Sequence, residues 1–373
     1  MIQVVVTGIG FVSCLGNNLQ DSWKQLIAGK SGIKLHQPFP QLAPRPLGMI
    51  GYEPADVKKI TWQVVASALQ DAGLSEPLED CGVVIGSSRG FQGVWEQMAQ
   101  GIQSQEEWMN HLPHMNAIAS ARQIGSTGIV LAPMAACATG IWSLFQAFSL
   151  INSGQCEYAI AGAVEAPITP LTITGFQQMG ALAKTGAYPF DQHREGLVLG
   201  EGGAVFVLES KTAAIRRGAN IYGEILGFGL TADAHHPNSP EPSGKSAESA
   251  IKQCLQRSQI SFSDIDAIHA HGTGTVLNDQ FESLLIQKLF PESVPIISTK
   301  GATGHTIGAS GALSVAFSLM ALKQQILPSC VGLKEPEFSL NFVRENLETR
   351  INQMMCFSFG FGGQNAVVTL GKA

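Results

Sequence analysis

Short runs of β-branched and aliphatic residues alternate along this chain with longer stretches whose apolar positions recur every three or four residues. In the first part, Val4–Thr7, Gly82–Ile85, Ile129–Leu131, Tyr158–Ala161 and Ala204–Leu208 predict strands. Between them, Asp21–Ala28, Ala55–Ala72 and Thr212–Arg217 predict helices. So does Ala138–Ile151, which carries Ile141, Leu144, Phe145, Phe148 and Ile151 at helical spacing. Gly32–Glu53 is rich in proline and glycine and reads as surface loop. A second part opens near Asn220. It predicts strands at Ile221–Gly227, Ile265–His269, Pro295–Ser298, Met355–Phe357 and Ala366–Leu370, and helices at Ser243–Ser258, Phe281–Phe290 and Thr306–Lys323.

The two parts rhyme. A strand, a turn of small residues and a long apolar helix occur around Cys137 and again from Lys300 to Leu322. A strand running into a Gly/Ser/Thr loop occurs at Val83–Gly90 and again at Ile268–Thr275. The pattern is that of an α/β chain with an internal duplication, residues 1–217 and 218–373. The copies are expected to pack into one layered body with its active centre where their loops meet.

Composition narrows the function. Hydrophobic residues make up 45% and charged residues 14% of the chain, so it buries a large core, and the low charge fits a surface partly covered by a second subunit. The net charge is −6 and no Lys/Arg run can follow a phosphate backbone, which argues against nucleic acid as a partner. Seven cysteines, widely spread and without a C-x-x-C pair, fit a reducing cytoplasm better than a disulfide framework or a structural zinc site. The chain starts directly as a strand with no leader pattern, and no apolar run is long enough to span a membrane.

The chemistry concentrates at four places. Cys137, in A-A-C-A-T-G, stands where a strand meets a helix; unpaired N–H groups and the helix dipole there are expected to favour thiolate. His269 and His271, in H-A-H-G-T-G-T, are read as pointing to opposite sides, one toward a reaction centre. His305, in K-G-A-T-G-H-T-I-G, precedes a helix whose positive end is expected to keep the ring neutral, and Lys300 lies close by. The tail S-F-G-F-G-G-Q-N has glycines able to aim a backbone N–H at an oxyanion and phenylalanines able to swing over a pocket. One other motif is a decoy: V-V-V-T-G-I-G-F-V-S approaches a dinucleotide fingerprint, but Ser13 replaces its third glycine and no second βαβ strand ending in an acid follows.

Together these segments, with H-G-T-G-T-V-L-N-D, F-D-Q-H-R-E-G-L-V-L-G-E-G and I-L-G-F-G-L-T-A-D-A-H-H, resemble the elongating, KAS II-like β-ketoacyl-[acyl-carrier-protein] synthases of the thiolase-like superfamily. The resemblance runs from about residue 2 to residue 371. It implies duplicated βαβαβαββ halves in a five-layered α-β-α-β-α body. It implies decarboxylative condensation of an enzyme-bound acyl thioester with malonyl-carrier, in fatty acid or polyketide-type synthesis, by a cytoplasmic homodimer. No cofactor is implied, since the substrates ride on the phosphopantetheine arm of acyl carrier protein. By the match, Cys137 is the nucleophile, His271 and His305 serve decarboxylation and attack, Lys300 is the structural and electrostatic lysine, and Glu282 is the acid paired with it. Thr273 and Thr275 hold the pantetheine arm, Phe361 is the gate whose N–H joins that of Cys137 in the oxyanion hole, and Phe176 lines the acyl pocket.

The chain departs from the family pattern at Gly180, where arginine is usual, at Ala183, where serine is usual, and at His269; it is also short between Gly32 and Lys59 and before Ala119. Three other readings are weaker. A thiolase would carry C-x-G where this chain has F-G-F-G-G. A silent chain-length subunit would lack the nucleophile. A metal enzyme would need His235, His236, His269 and His271 to converge.

Overall fold

The computed structural model describes residues 2–373. Ten strands form one mixed sheet: β1 (Val4–Ser13), β2 (Gly82–Gly86), β3 (Val130–Leu131), β4 (Tyr158–Glu165), β5 (Gly202–Ser210), β6 (Gly223–Ala232), β7 (Ala267–His269), β8 (Ile296–Ile297), β9 (Gln353–Gly360) and β10 (Gln364–Gly371). Their order is β8-β7-β9-β10-β6-β1-β5-β4-β2-β3. Read outward from the middle, each half has the same plan. Its first strand pairs antiparallel with its last, the last pairs antiparallel with a third, and two parallel pairings complete the edge. Within the sheet the halves join where Val4–Val6 of β1 run antiparallel to Gly223–Ile225 of β6.

Two helices, α3 (Thr139–Asn152) and α7 (Ser310–Gln324), touch strands of both half-sheets and each other, so they form the middle layer. Helices α1 (Val57–Ala72) and α2 (Met115–Ile124) cover the outer face of the first half, and α5 (Lys245–Ser258) covers the second. The layers therefore run α-β-α-β-α. The duplication extends to close contacts: a Cβ at Gly10 would collide with the Val64 carbonyl of α1, and one at Gly229 with the Ala250 carbonyl of α5. Only glycine lets the outer helices lie this near their strands.

Local signals account for most boundaries. Asp56 caps α1 by accepting from Lys58 N–H, and Gly73 ends it in the left-handed conformation. Several regions depart from expectation; the helices Gln92–Ala99 and Met115–Ile124 have no counterpart in the periodicity reading. Gly32–Glu53 is not simply surface loop: Lys34–His36 pairs with Arg45–Leu47, and Leu47 and Met49 are buried. A helix absent from the periodicity reading, α4 (Pro170–Gln178), carries Phe176. It is capped by Thr169 with Pro170 in its first turn, a start signal that its short apolar pattern hides.

Candidate active site

Cys137 lies in the turn between β3 and α3. Ala136 before it has φ 48°, a left-handed conformation that residues with a Cβ rarely adopt. Thr139 Oγ1 braces the turn, accepting from Ala135 N–H at 2.9 Å and donating to the Ala136 carbonyl at 2.7 Å. Ser358 of β9 donates to the Cys137 carbonyl at 2.9 Å. Gly360 lies so close that a Cβ there would sit 3.1 Å from Cys137 N. The glycine tail is thus pressed against the Cys137 turn, and the Phe361 N–H reaches the Cys137 thiol.

The second half supplies the imidazoles. Cys137 Sγ and one ring nitrogen each of His271 and His305 lie within 4.8 Å of one another, and all three residues are buried. The two rings meet edge-on, 5.3 Å between centroids. Ile307 N–H donates to His305 Nδ1 at 3.2 Å, which leaves the ring proton of neutral His305 on Nε2. Ile307 does so from φ 43°, an outlier for a β-branched residue. His305 is also held along its backbone, its N–H on the Val198 carbonyl at 2.6 Å and its carbonyl on Gly200 N–H at 3.0 Å.

His269 and His271 do face different surroundings, for a reason other than alternation. A regular strand puts residues two apart on the same face. Here β7 stops at His269 and His271 lies in the loop beyond it. His269 packs inside, its ring nitrogens 3.0 Å from Ser318 Oγ and 3.2 Å from Thr299 Oγ1.

Lys300 and Glu282 flank His271 from two sides. Glu282 accepts from the N–H groups of His271 at 2.5 Å and Gly272 at 2.7 Å. The Lys300 ammonium donates to the His271 carbonyl and stands 3.4 Å from His271 Nδ1. The two do not form the direct ion pair that the resemblance implies, because each is engaged by the His271 peptide between them; no Lys300–carboxylate pair lies within 4.0 Å among the described residues. Burial raises the pKa of Glu282 and lowers that of Lys300.

Electrostatics follow from burial. Desolvation first, and the Lys300 charge second, hold both His271 and His305 well below the usual imidazole range, so both are neutral at pH 7. His305 is neutral as the sequence implies, but through burial and Lys300. Burial also pushes the Cys137 thiol up to about 11, against the pull of Lys300, the Phe361 N–H and Arg89. The expected thiolate therefore does not form in the resting site; desolvation outweighs the stabilising partners.

A cavity of about 240 Å³ opens onto this cluster. Cys137, His271, His305, Thr273, Thr275, Phe176 and Phe361 all line it. Thr273 and Thr275 share a hydrogen bond at 2.8 Å, and Thr275 caps the helix α6 (Val276–Leu289). Phe176 is stacked on Phe361, 5.9 Å between centroids, and joins Leu47, Met49, Ile168, Ile173, Leu197, Leu199 and Ile307 in an apolar cluster that includes Cys137.

Glu165, missed in the sequence reading, is the main unanticipated group. It is fully buried and accepts from Ser87 Oγ at 2.7 Å, Ser88 N–H and Oγ at 2.8 Å, Arg89 N–H at 3.0 Å and Gly308 N–H at 3.0 Å. It thereby ties the loop after β2 to the turn after His305. A lone carboxylate closing the apolar strand G-A-V-E is the signal that could have revealed it.

Known proteins share this arrangement of chain. Residues 55–214 match the β-ketoacyl synthase N-terminal domain and residues 222–334 its C-terminal domain. The 3-oxoacyl-[acyl-carrier-protein] synthase 2 of Staphylococcus aureus (strain MRSA252) is 32% identical, over 100% of this chain and 98% of its own length. That of Coxiella burnetii is 33% identical, over 99% and 98%. Among solved structures, a chain of the AntDE:AntF complex, a type II polyketide acyl-carrier protein with its ketosynthase, superposes with TM-score 0.93 at 25% identity and full coverage of both chains.

Proposed function

The chain belongs to the β-ketoacyl synthase family, and from that premise we propose how its own residues carry out the condensation. The enzyme joins an acyl thioester to malonyl-[acyl-carrier-protein], giving 3-oxoacyl-[acyl-carrier-protein], CO2 and free carrier. Both substrates arrive on acyl carrier protein and no free cofactor takes part.

Cys137 Sγ attacks the acyl thioester and expels the carrier thiol, which leaves with the cysteine's proton. Malonyl-carrier then enters along Thr273 and Thr275. Its C–CO2 bond breaks and leaves an enolate, whose oxygen takes hydrogen bonds from Nε2–H of His271 and His305. The enolate carbon attacks the acyl carbonyl, and the resulting oxyanion is held by the N–H groups of Cys137 and Phe361. That attack forms the new C–C bond; collapse of the oxyanion then re-forms the carbonyl, breaks the C–S bond and releases Cys137 as thiolate, which takes a proton from solvent to restore the thiol and complete the cycle. Lys300 and Glu282 position His271 by gripping its peptide. Each donor to a developing oxyanion is typically worth ~2.7–4 kcal/mol.

The observation that carries this reading is the convergence of Cys137, His271 and His305 within 4.8 Å. Two neutral imidazoles suit donation to an enolate better than two charged ones would suit binding beside Lys300. The test is a condensation assay with malonyl-carrier and acyl-carrier, read by mass spectrometry. A 3-oxoacyl product two carbons longer supports the reading, and unchanged substrates with an intact fold contradict it.

The working form is a homodimer built of residues 1–217 and 218–373 in each copy. The middle-layer helix α3 leaves Trp142, Phe145 and Phe148 only partly buried, and Ile129 and Met134 beside it are exposed, at the edge strand β3. A two-fold partner would cover that edge. Sedimentation equilibrium giving 39.6 kDa rather than twice that mass would contradict the dimer. We place it in a reducing compartment such as the cytoplasm, because all seven cysteines are free, and no helix among the described residues is long and apolar enough to cross a membrane.

A further inference from the structure

One fully buried charge takes no part in the proposed chemistry. Glu165 closes β4, and no Lys, Arg or His nitrogen lies within 4.0 Å of its carboxylate among the described residues. A buried carboxylate without a cation is costly unless hydrogen bonds replace the water it has lost. Five donors do so here. Oε1 accepts from Ser87 Oγ at 2.7 Å and from Arg89 N–H at 3.0 Å. Oε2 accepts from Ser88 N–H and Oγ, both at 2.8 Å, and from Gly308 N–H at 3.0 Å. Ser87 Oγ is committed on its other side, accepting from Gly90 N–H at 2.8 Å. Burial pushes the carboxyl up and these donors pull it back. Every partner donates and none is placed to receive a carboxyl proton, so the cradle fits the ionised form.

Four of the five donors belong to the loop after β2, in the first half of the chain. The fifth, Gly308 N–H, comes from the second half, in the turn that carries His305. That turn approaches so closely that a Cβ at Gly308 would stand 2.5 Å from Glu165 Oε2 and 2.8 Å from Ser88 N. The peptide so gripped is the one that follows Ile307, the residue held at φ 43°. Ile307 has its own task, since its N–H donates to His305 Nδ1 at 3.2 Å. A neutral imidazole carries one ring proton, and a donor on Nδ1 leaves that proton on Nε2. A β-branched residue keeps a positive φ only where its surroundings over-determine it. Without an anion on Gly308 N–H, relaxation of Ile307 would turn its N–H away from the imidazole.

We propose that Glu165 is a positioning residue: by gripping the Ile307–Gly308 peptide it keeps the Ile307 N–H on Nδ1, and so holds His305 in the tautomer that donates from Nε2. The proposal rests on the reading of His305 as a donor to the enolate. Two variants of the full chain break the grip from opposite sides, so one remains decisive if the other does not fold. Glu165→Gln keeps the shape of the side chain but turns one acceptor oxygen into an NH2 group facing donors. Gly308→Ala leaves Glu165 in place and pushes the turn away from it. Each is compared with the wild type in CO2 release from malonyl-[acyl-carrier-protein] and in single-turnover acylation of Cys137 by hexanoyl N-acetylcysteamine thioester. The third readout is the nitrogen NMR spectrum of protein labelled in its histidine rings, with His305 assigned by its absence from His305→Ala. The wild type is expected to show His305 protonated at Nε2 alone. The variants should lose that single tautomer and release CO2 at least ~10-fold more slowly, part of the ~10²–10³ typical of losing a whole donor. Acylation should change little. A folded variant that keeps the wild-type tautomer and CO2 release overturns the proposal, as does an equal loss in both half-reactions or a wild-type His305 protonated at Nδ1. A wild type that releases no CO2 overturns the functional reading and the proposal with it, whereas those other results, obtained beside an active wild type, overturn the proposal alone.

Discussion

The turn that carries Cys137 and the turn that carries His305 are counterparts in the two halves, and they have been put to opposite uses. Each follows a two-residue parallel strand, β3 or β8, and leads into a middle-layer helix, α3 or α7. Each contains a non-glycine residue forced to positive φ, Ala136 at 48° and Ile307 at 43°. Strain of this kind costs ~1–3 kcal/mol, persists only where the surroundings over-determine it, and gathers at functional sites. In the first half the strained turn presents a thiol, and in the second an imidazole whose Nδ1 is occupied by the strained residue's own N–H. Duplication thus gave two similar platforms, and the proposed mechanism uses one for the nucleophile and the other for stabilising negative charge. Glu165 ties the second platform to the first half of the chain by binding both the loop after β2 and Gly308.

The largest expected effects separate the two platforms. His271→Ala and His305→Ala should each slow decarboxylative condensation by at least ~10²-fold, since each removes a donor to the enolate. Acyl transfer to Cys137 should suffer much less. Equal losses in both half-reactions, measured by single-turnover acylation and by product formation, would merge the two roles into one.

The next effect concerns the first platform alone. With its pKa raised to about 11, Cys137 is almost wholly protonated near neutrality. Its thiolate fraction, and hence its alkylation by iodoacetamide, should climb ~10-fold per pH unit from pH 7 to pH 9 with no plateau. A plateau below pH 8 would mean that the helix end and Phe361 N–H overcome burial after all.

Smaller effects test the pocket beside it. Phe176→Ala opens space for extra methylenes, each worth ~0.8 kcal/mol when buried. The kcat/KM ratio of a long to a short acyl-carrier should therefore rise about 4-fold per methylene accommodated. Phe361→Ala should instead slow condensation at every length, because it loosens the tail against Cys137. An unchanged ratio in Phe176→Ala would remove residue 176 from the acyl site.

The same contrast explains what was legible in the sequence. Strong periodicity announced α3 and α7, and small-residue motifs marked Cys137, His271 and His305, because catalysis needs particular residues in tight turns. The positive φ of Ala136 and Ile307 was hidden, since neither position carries the glycine that signals it. Leu47 and Met49 vanished into a stretch whose prolines and glycines read as surface, although tertiary packing buries them beside the nucleophile. The expectation of a thiolate failed because a local motif shows the helix end but not the desolvation imposed by the other half of the chain. The resemblance pairs Glu282 directly with Lys300, whereas the peptide of His271 stands between them, a property of three dimensions only.

The central claim is the division of labour between the two turns, and intact mass after incubation with acyl-carrier tests it most directly. The account predicts one acyl adduct on the wild type, the same adduct on His271→Ala and His305→Ala, and none on Cys137→Ala. An adduct persisting in Cys137→Ala, or its loss from the two histidine variants while they remain folded, would contradict it.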